Sequence, residues 1–486
     1  VMQKVWSISG RSIAVSALAL ALTACQSMRG PEPVAQANIP EQGYLTASSG
    51  PSIAEQGYKD FFADQRLLQV LDLALANNRD LRTSTLNIQR AQQQYQITQN
   101  NQLPTIGASG SVLRQDTLNT GAMTSYNVGL GVTAYELDFW GRVRSLKDNA
   151  LDTYLATSSA RDATQIALVG QVAQAWLNYS FANANLRLAD QTLKAQLESY
   201  NLNKKRFDVG IDSELPVRQA QISVETARND VANYKTQIAQ AQNLLNLLVG
   251  QAVPANLLPT QRVTRITTNN ALTAGLPSDL LTNRPDVRAA EYQLSAAGAN
   301  IAAAKARLFP TISLTGNAGY ASTSLSDLFK SGGFVWSIGP SIDLPIFDWG
   351  TRQANIKISE TDQQIALSDY EKSIQSAFRE VNDALAVRQN IGDRLAAQRR
   401  LVDATNTTYR LSNARFRAGI DSYLTVLDAQ RASYAAEQGL LLLEQANMNN
   451  QVEVYKTLGG GIKANTSDAV LQPASTAEQK AANSAQ

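Results

Sequence analysis

Between Thr311 and Tyr320 the chain alternates: Ile312, Leu314, Ala318 and Tyr320 fall on one face, Thr311, Ser313, Thr315 and Asn317 on the other. A period of two marks a strand with unlike faces. A second run follows, with Phe334, Trp336, Ile338, Ile342 and Leu344 set against Ser337, Gly339, Ser341 and Asp343. Earlier, Ile106, Ala108 and Val112 oppose Thr105, Ser109 and Ser111, and Tyr126, Val128, Leu130 and Val132 oppose Asn127, Gly129 and Thr133. Each run is about ten residues, the length of a tilted strand that crosses a bilayer. An apolar outer face over a small, polar inner face is the pattern of a water-filled barrel wall. Polar stretches at 115–125 and 321–333 read as extracellular loops. Four strands cannot close a barrel, because lipid tolerates no open sheet edge and bacterial barrels need about eight or more. Chains must therefore associate. Two copies would give eight strands and three would give twelve; the pattern alone leaves both open.

Away from the strands the period lengthens to that of a helix. Ile166, Val169, Ala173 and Trp176 recur at helical spacing, as do Ile374, Phe378, Val381 and Leu385. The stretches 142–207 and 351–416 contain no proline and are rich in Ala, Gln, Leu, Glu and Arg, all tolerant of the helix. A helix of about 66 residues would reach roughly 100 Å at 1.5 Å per residue. Ala-heavy faces suit close, coiled-coil-like packing against neighbours.

The chain also repeats itself. Asp80-Leu81-Arg82 returns as Asp286-Val287-Arg288, and Leu103-Pro104-Thr105-Ile106 as Phe309-Pro310-Thr311-Ile312, both 206 residues on. Phe207-Asp208-Val209-Gly210-Ile211-Asp212-Ser213 matches Phe416-Arg417-Ala418-Gly419-Ile420-Asp421-Ser422 at 209, and Trp140-Gly141 matches Trp349-Gly350 in that second register. A duplicated unit with one small indel leaves this trace. The expected organisation is a helix at 63–103, a β-hairpin at 104–139, and long helices with a turn at 140–249. A connector at 250–277 leads to the second copy, at 278–309, 310–347 and 348–458. The segment 459–486 follows, with an Ala/Ser/Gln-rich tail. The first helix of each copy is expected to run unbroken over roughly 65–102 and 278–308.

Composition narrows the function chiefly by what is missing. The 486 residues include no histidine and a single cysteine, Cys25. That removes histidine-based triads, the commonest zinc ligand, disulfides and iron–sulfur clusters. A net charge of +2 gives no basic footprint for nucleic acid. No convergent acid/base site is visible, so an enzyme is not expected, nor any cofactor or metal. At the N-terminus, Lys4 and Arg11 precede an apolar run from Ile13 to Leu22, the length of a signal-peptide core and too short to span a membrane. It leads into Leu22-Thr23-Ala24-Cys25, which resembles the bacterial lipobox. Residues 1–24 are read as a lipoprotein leader, Cys25 as the lipidated residue, and 25–62 as an acylated tether. Gln26 after the cysteine implies sorting to the outer membrane.

The lipobox, the duplicated unit, the Pro-Thr-Ile strand starts and the paired Gly-Ile-Asp-Ser turns together resemble the outer-membrane factors of tripartite efflux pumps. These form the TolC-like superfamily, here in its lipid-anchored OprM/NodT branch. The resemblance implies a homotrimer with a twelve-stranded outer-membrane barrel, four strands per protomer, continued by a long periplasmic α-helical coiled-coil barrel. It implies a multidrug exit channel, with a periplasmic membrane-fusion adaptor and an inner-membrane proton-driven (RND) transporter as partners and outer-membrane lipid around the barrel. Val209, Gly210, Ile211, Asp212 and Ser213, with Ala418, Gly419, Ile420, Asp421 and Ser422, would form the adaptor-contacting tip. Glycine there permits a left-handed turn, and Asp212, Ser213, Asp421 or Ser422 can cap the next helix. Leu424, Asp428 and Arg431 match the residues that constrict the resting periplasmic mouth in that family, with Leu215 as the first-copy counterpart of Leu424. Gln219 and Ile222 stand where the first copy would carry the Asp and Arg, so the gating charge lies on one repeat only. Tyr126, Phe139, Trp140, Phe334, Trp336, Phe347 and Trp349 flank the strands as an interfacial aromatic girdle. The alternative within the family is the outer-membrane duct of a metal-ion pump or a type I secretion system.

Overall fold

A computed structural model describes residues 28–30, 33–36, 56–117, 121–268 and 283–461. The leader, Cys25, most of the tether, the end of the connector and the tail beyond 461 lie outside the described residues. The chain folds as two compact units, and both draw on the two sequence copies.

One unit, built mainly from 86–158 and 289–372, carries the strands. β1 (Ile106–Thr117), β2 (Gly121–Glu136), β3 (Thr311–Ser322) and β4 (Phe334–Asp343) form one antiparallel sheet in the order β1-β2-β3-β4. The register joins the alternating faces read from the sequence. Ala108, Leu130, Ala318 and Trp336 line up across all four strands, as do Gly110, Val128, Tyr320 and Phe334. On the opposite face Gly107, Gly131, Asn317 and Ser337 align, with Ser337 Oγ donating to Asn317 Oδ1 at 2.8 Å. Gly129 faces Gly319. A Cβ on Gly129 would lie 2.8 Å from the carbonyl oxygen of Ala318, so only glycine lets the strands approach as they do. A bulge between Val132 and Tyr135, with Ala134 at φ 52°, shifts the β2–β3 register. β1 and β4 have no partner on their outer edges among the described residues.

Pairing continues from Arg114↔Thr124 to Thr117↔Gly121. The segment expected to loop at 115–125 is therefore mostly strand, because hairpin pairing satisfies backbone groups whatever the polarity of the side chains. The second loop lies between Ser322 and Phe334 and contains a single 3-10 turn, Leu325–Asp327.

Helices α1 (Tyr58–Phe61), α2 (Gln65–Asn77) and α3 (Arg79–Asn100) precede the first hairpin. The single helix expected over 65–102 is thus broken at Asn78, whose backbone is extended (φ −60°, ψ 131°). Asn78 Oδ1 accepts from the Leu81 amide at 2.8 Å and its Nδ2 donates to the Leu248 carbonyl at 2.8 Å, so the break is a capped and anchored corner. α4 (Arg142–Asp208) and α5 (Glu214–Val249) complete the first copy. α6 (Pro285–Ala306), α7 (Thr351–Arg417) and α8 (Tyr423–Thr457) belong to the second, and α4 and α7 are each 67 residues long. Asp138 starts α4 by accepting from the Val143 and Arg144 amides, and Asp348 does the same for α7 through Gly350 and Arg352.

The core of the second unit forms around the middle of α4. Trp176 is wholly buried, donates to the Leu257 carbonyl at 3.0 Å, and carries the Arg66 guanidinium over its ring at 5.6 Å. Phe61, Phe62 and Tyr455 form a ring cluster in the same unit. Arg284 is buried but not alone: Asp286, Glu380 and the Thr457 carbonyl share its donors. Among the described residues no helix is long and apolar enough to cross a membrane, and they hold no cluster of metal-ligating side chains.

Candidate functional site at the paired helix turns

The two long helices end in the same way. Gly210 and Gly419 each take φ 74°, the left-handed conformation that closes a helix at low cost only in glycine. Ile211 N donates back to the Arg206 carbonyl at 2.8 Å, and Ile420 N to the Arg415 carbonyl at 3.0 Å. The arginine that offers its carbonyl also turns its side chain across the loop. Arg206 Nε meets Asp212 Oδ2 at 2.6 Å; Arg415 holds both oxygens of Asp421, at 2.7 and 2.9 Å. This pairing holds the Asp421 carboxyl below its ordinary range.

The expected capping is corrected here. Ser213 and Ser422 occupy the N-cap positions of α5 and α8, but neither side chain makes a cap bond. Asp212 and Asp421 are spent on the preceding arginines. The sequence carried the signal, since Arg six residues before Asp recurs in both copies, yet helix capping was the nearer explanation for an acid at that position.

Both turns present apolar side chains to solvent: Val209, Ile211, Leu215, Ile420 and Leu424 are all at least half exposed. Ala418 and Ser422 are exposed beside them. Beneath the second turn a small core gathers Phe416, Tyr423, Val426, Leu427 and Ala220. Arg206 from the first turn covers the Phe416 ring at 5.2 Å, so the two turns are fastened side by side. Burial pushes the Tyr423 hydroxyl up to about 12, and it has no hydrogen-bond partner among the described residues.

Leu424, Asp428 and Arg431 share the exposed face of α8, while Tyr423, Val426, Leu427 and Gln430 turn inward. Asp428 and Arg431 make no ion pair among the described residues, although their spacing permits one. Gln219 is half-buried, and Ile222 is 59% exposed on α5. About three turns along α8 from the tip lies a linkage not anticipated from the sequence. Tyr434 on α8 donates to Asp230 on α5 at 3.0 Å, and Gln438 donates to Tyr234 at 3.0 Å. Burial, reinforced by the Asp230 charge, raises the Tyr434 hydroxyl above its ordinary value. The matching positions in each copy carry other residues, so the duplication gave no pointer to it.

At the sheet, Phe139, Phe334, Trp336, Phe347 and Trp349 are well exposed, and Phe347 packs edge-on against Trp349 at 4.5 Å. Tyr126 is half-buried in the apolar row opposite Val112. Trp140 departs from this set. It stacks on Phe309 at 4.7 Å and donates to the Pro310 carbonyl at 2.8 Å, so its ring packs at the foot of the hairpin, where Phe309 offers a stacking surface.

A sheet with one apolar face, carried on very long paired helices that end in twin glycine turns, defines the class of an outer-membrane channel. The family model for the outer membrane efflux protein matches residues 70–251 and 276–460, the two copies in turn. The antibiotic efflux pump outer membrane protein ArpC of Pseudomonas putida is 43% identical over 439 residues, covering 88% of this chain and 90% of that protein. The cation efflux system protein CusC of Escherichia coli is 38% identical over 457 residues, covering 91% and 98%. The open state of the Neisseria gonorrhoeae MtrE outer membrane channel superposes with a TM-score of 0.83 at 38% identity, over 90% of this chain and 98% of that one. The chain belongs to the outer membrane efflux protein family. It is an efflux channel of the outer membrane that extends into the periplasm.

Proposed function

We propose that three copies of the chain close edge to edge into a twelve-stranded barrel and serve as the exit duct of a tripartite multidrug pump. One observation carries this reading: a four-stranded sheet, apolar on one face and small and polar on the other, whose edge strands β1 and β4 have no outer partner among the described residues. Hydrocarbon offers no hydrogen bonds to such edges, so each must pair with a neighbouring chain. Three copies leave a lumen lined by Ser, Gly, Asn and Thr, whereas eight strands are filled by their own side chains. A lipid on Cys25 would add an anchor beside the barrel.

In the trimer, three Leu424 side chains make a collar and three Asp428 carboxylates a ring, with Arg431 able to pair across protomers. Their exposure, and the absence of an ion pair at Asp428 or Arg431 among the described residues, support that role. The apolar turns around Gly210 and Gly419 suit a ring of docking sites for a periplasmic adaptor, which would couple the duct to an inner-membrane RND transporter. No reaction is assigned to the chain. CusC is named for cation efflux, but zero histidines and four methionines leave this chain few soft ligands along a metal path. Native mass spectrometry of the detergent-extracted protein is expected to give a trimer, and deletion to make cells retain a fluorescent amphiphile. A single-copy species, or unchanged accumulation, would overturn the proposal.

A further inference from the structure

The loop joining β3 to β4 is built with an orientation. β1–β2 and β3–β4 turn at the ends of the sheet away from α3, α4, α6 and α7, so in a barrel whose helices enter the periplasm these turns face outward from the cell. In the 323–333 loop, Leu325 is 65% and Phe329 72% exposed, though both are large and apolar. The segment is nonetheless ordered by its own bonds. Gly333 N donates to the Lys330 carbonyl, Ala321 N to the Gly333 carbonyl, and Lys330 Nζ meets Asp327 at 2.6 Å. Leu328 is buried.

The side on which Phe329 packs decides what covers it. Its ring lies 5.6 Å from that of Tyr320, and Tyr320 lies 5.8 Å from Phe334. Tyr320 and Phe334 belong to the apolar row with Val128, not to the row of Ser, Gly and Asn that would line a lumen. The loop therefore folds outward over the apolar face and extends it. A loop that lidded the channel would pack on the opposite face.

We propose that this loop rests in the outer leaflet, with Phe329 and Leu325 in the hydrocarbon boundary and the Asp327–Lys330 pair at the level of the headgroups. The occupant is a lipid surface. Two features favour it: continuity with the apolar row and aromatic rings at the rim where interfacial belts form. The inference rests on the barrel reading above.

The test uses the full chain reconstituted in vesicles of phosphatidylcholine and phosphatidylglycerol. Phe329→Cys and Leu325→Cys are each labelled with an environment-sensitive fluorophore. Trp336→Cys, on β4 at the end of the apolar row with Ala318 and Leu130, serves as reference, and the unsubstituted chain reports any signal from Cys25. Lipids carrying a nitroxide near the headgroup should quench the labels at 329 and 325 several-fold more than aqueous iodide does. If iodide quenches them instead, the loop stands in water; if neither quenches, a second copy or the channel rim covers them. Either result overturns the proposal while lipid quenching at 336 persists. Loss of lipid quenching at 336 as well would bring down the barrel reading, and the loop assignment with it.

Discussion

Arg415 and Asp421 clasp each other across a glycine turn, with both carboxylate oxygens held at 2.7 and 2.9 Å. The first copy reproduces the clasp with Arg206 and Asp212. Each clasp fixes the exit direction of a long helix without using the next helix's own cap. In the second copy the arginine lowers the Asp421 carboxyl, so the bond favours the folded turn above the ordinary carboxylate range near pH 4. It is lost as pH falls through the lowered folded value. Asp421→Asn is expected to speed amide exchange over 415–424 at pH 7, with the variant and the parent converging in acid once the parent's carboxyl is protonated as well. Equal exchange at pH 7 would show that the clasp does not hold the turn.

Gly419 has open space around its absent Cβ but a φ of 74°. Its replacement by alanine is thus a backbone effect alone, expected to cost about 1–2 kcal/mol. Gly419→Asn should cost less, because asparagine tolerates the left-handed region. Thermal unfolding of the two variants compares them directly.

Tyr423 buries a hydroxyl with no hydrogen-bond partner among the described residues, against Phe416 at 5.6 Å. Tyr423→Phe keeps the ring contact and removes the desolvated group. The expected change in stability is neutral to favourable, by up to about 1 kcal/mol. A loss of more than that in chemical denaturation would mean that the hydroxyl is satisfied in the assembled protein.

Asp428→Ala combined with Arg431→Ala is expected to raise single-channel conductance in planar bilayers, because it would remove the charged ring proposed beneath the Leu424 collar. The matched pair Gln219→Ala and Ile222→Ala should change it less, since the first copy brings no charge there. Conductance identical to that of the parent would remove the gate assignment.

Leu130 sits in the apolar row between Ala108 and Ala318, and Ser111 lies on the polar face opposite Asn127. Leu130→Arg is expected to destabilise insertion by about 2–4 kcal/mol if the row faces mid-bilayer. Ser111→Arg should be tolerated and alter ion selectivity instead. Membrane yield and reversal potentials separate the two outcomes.

The alternation at Ile312 to Tyr320 and Tyr126 to Val132 made the sheet's two faces legible, because a period of two admits one arrangement once a face is buried in lipid. The recurrence of Phe207 to Ser213 as Phe416 to Ser422 likewise located both turns. Asn78 was not legible as a corner, since asparagine is tolerated in helices and its anchor, the Leu248 carbonyl, is 170 residues away. Trp140 and Trp349 share a motif but not a fate. One found Phe309 to stack on and the other is 88% exposed.

Local pattern thus determined the type of the long helices and of the strand cores, the lengths of those helices, and the faces of the strands, because these depend on residues within a few positions of one another. Tertiary structure alone decided which distant polar groups became partners: Tyr434 with Asp230, Arg284 with Glu380. Hydrogen bonds and ion pairs demand distances near 3 Å. No spacing along a chain fixes such a distance until the helices that carry the groups have packed.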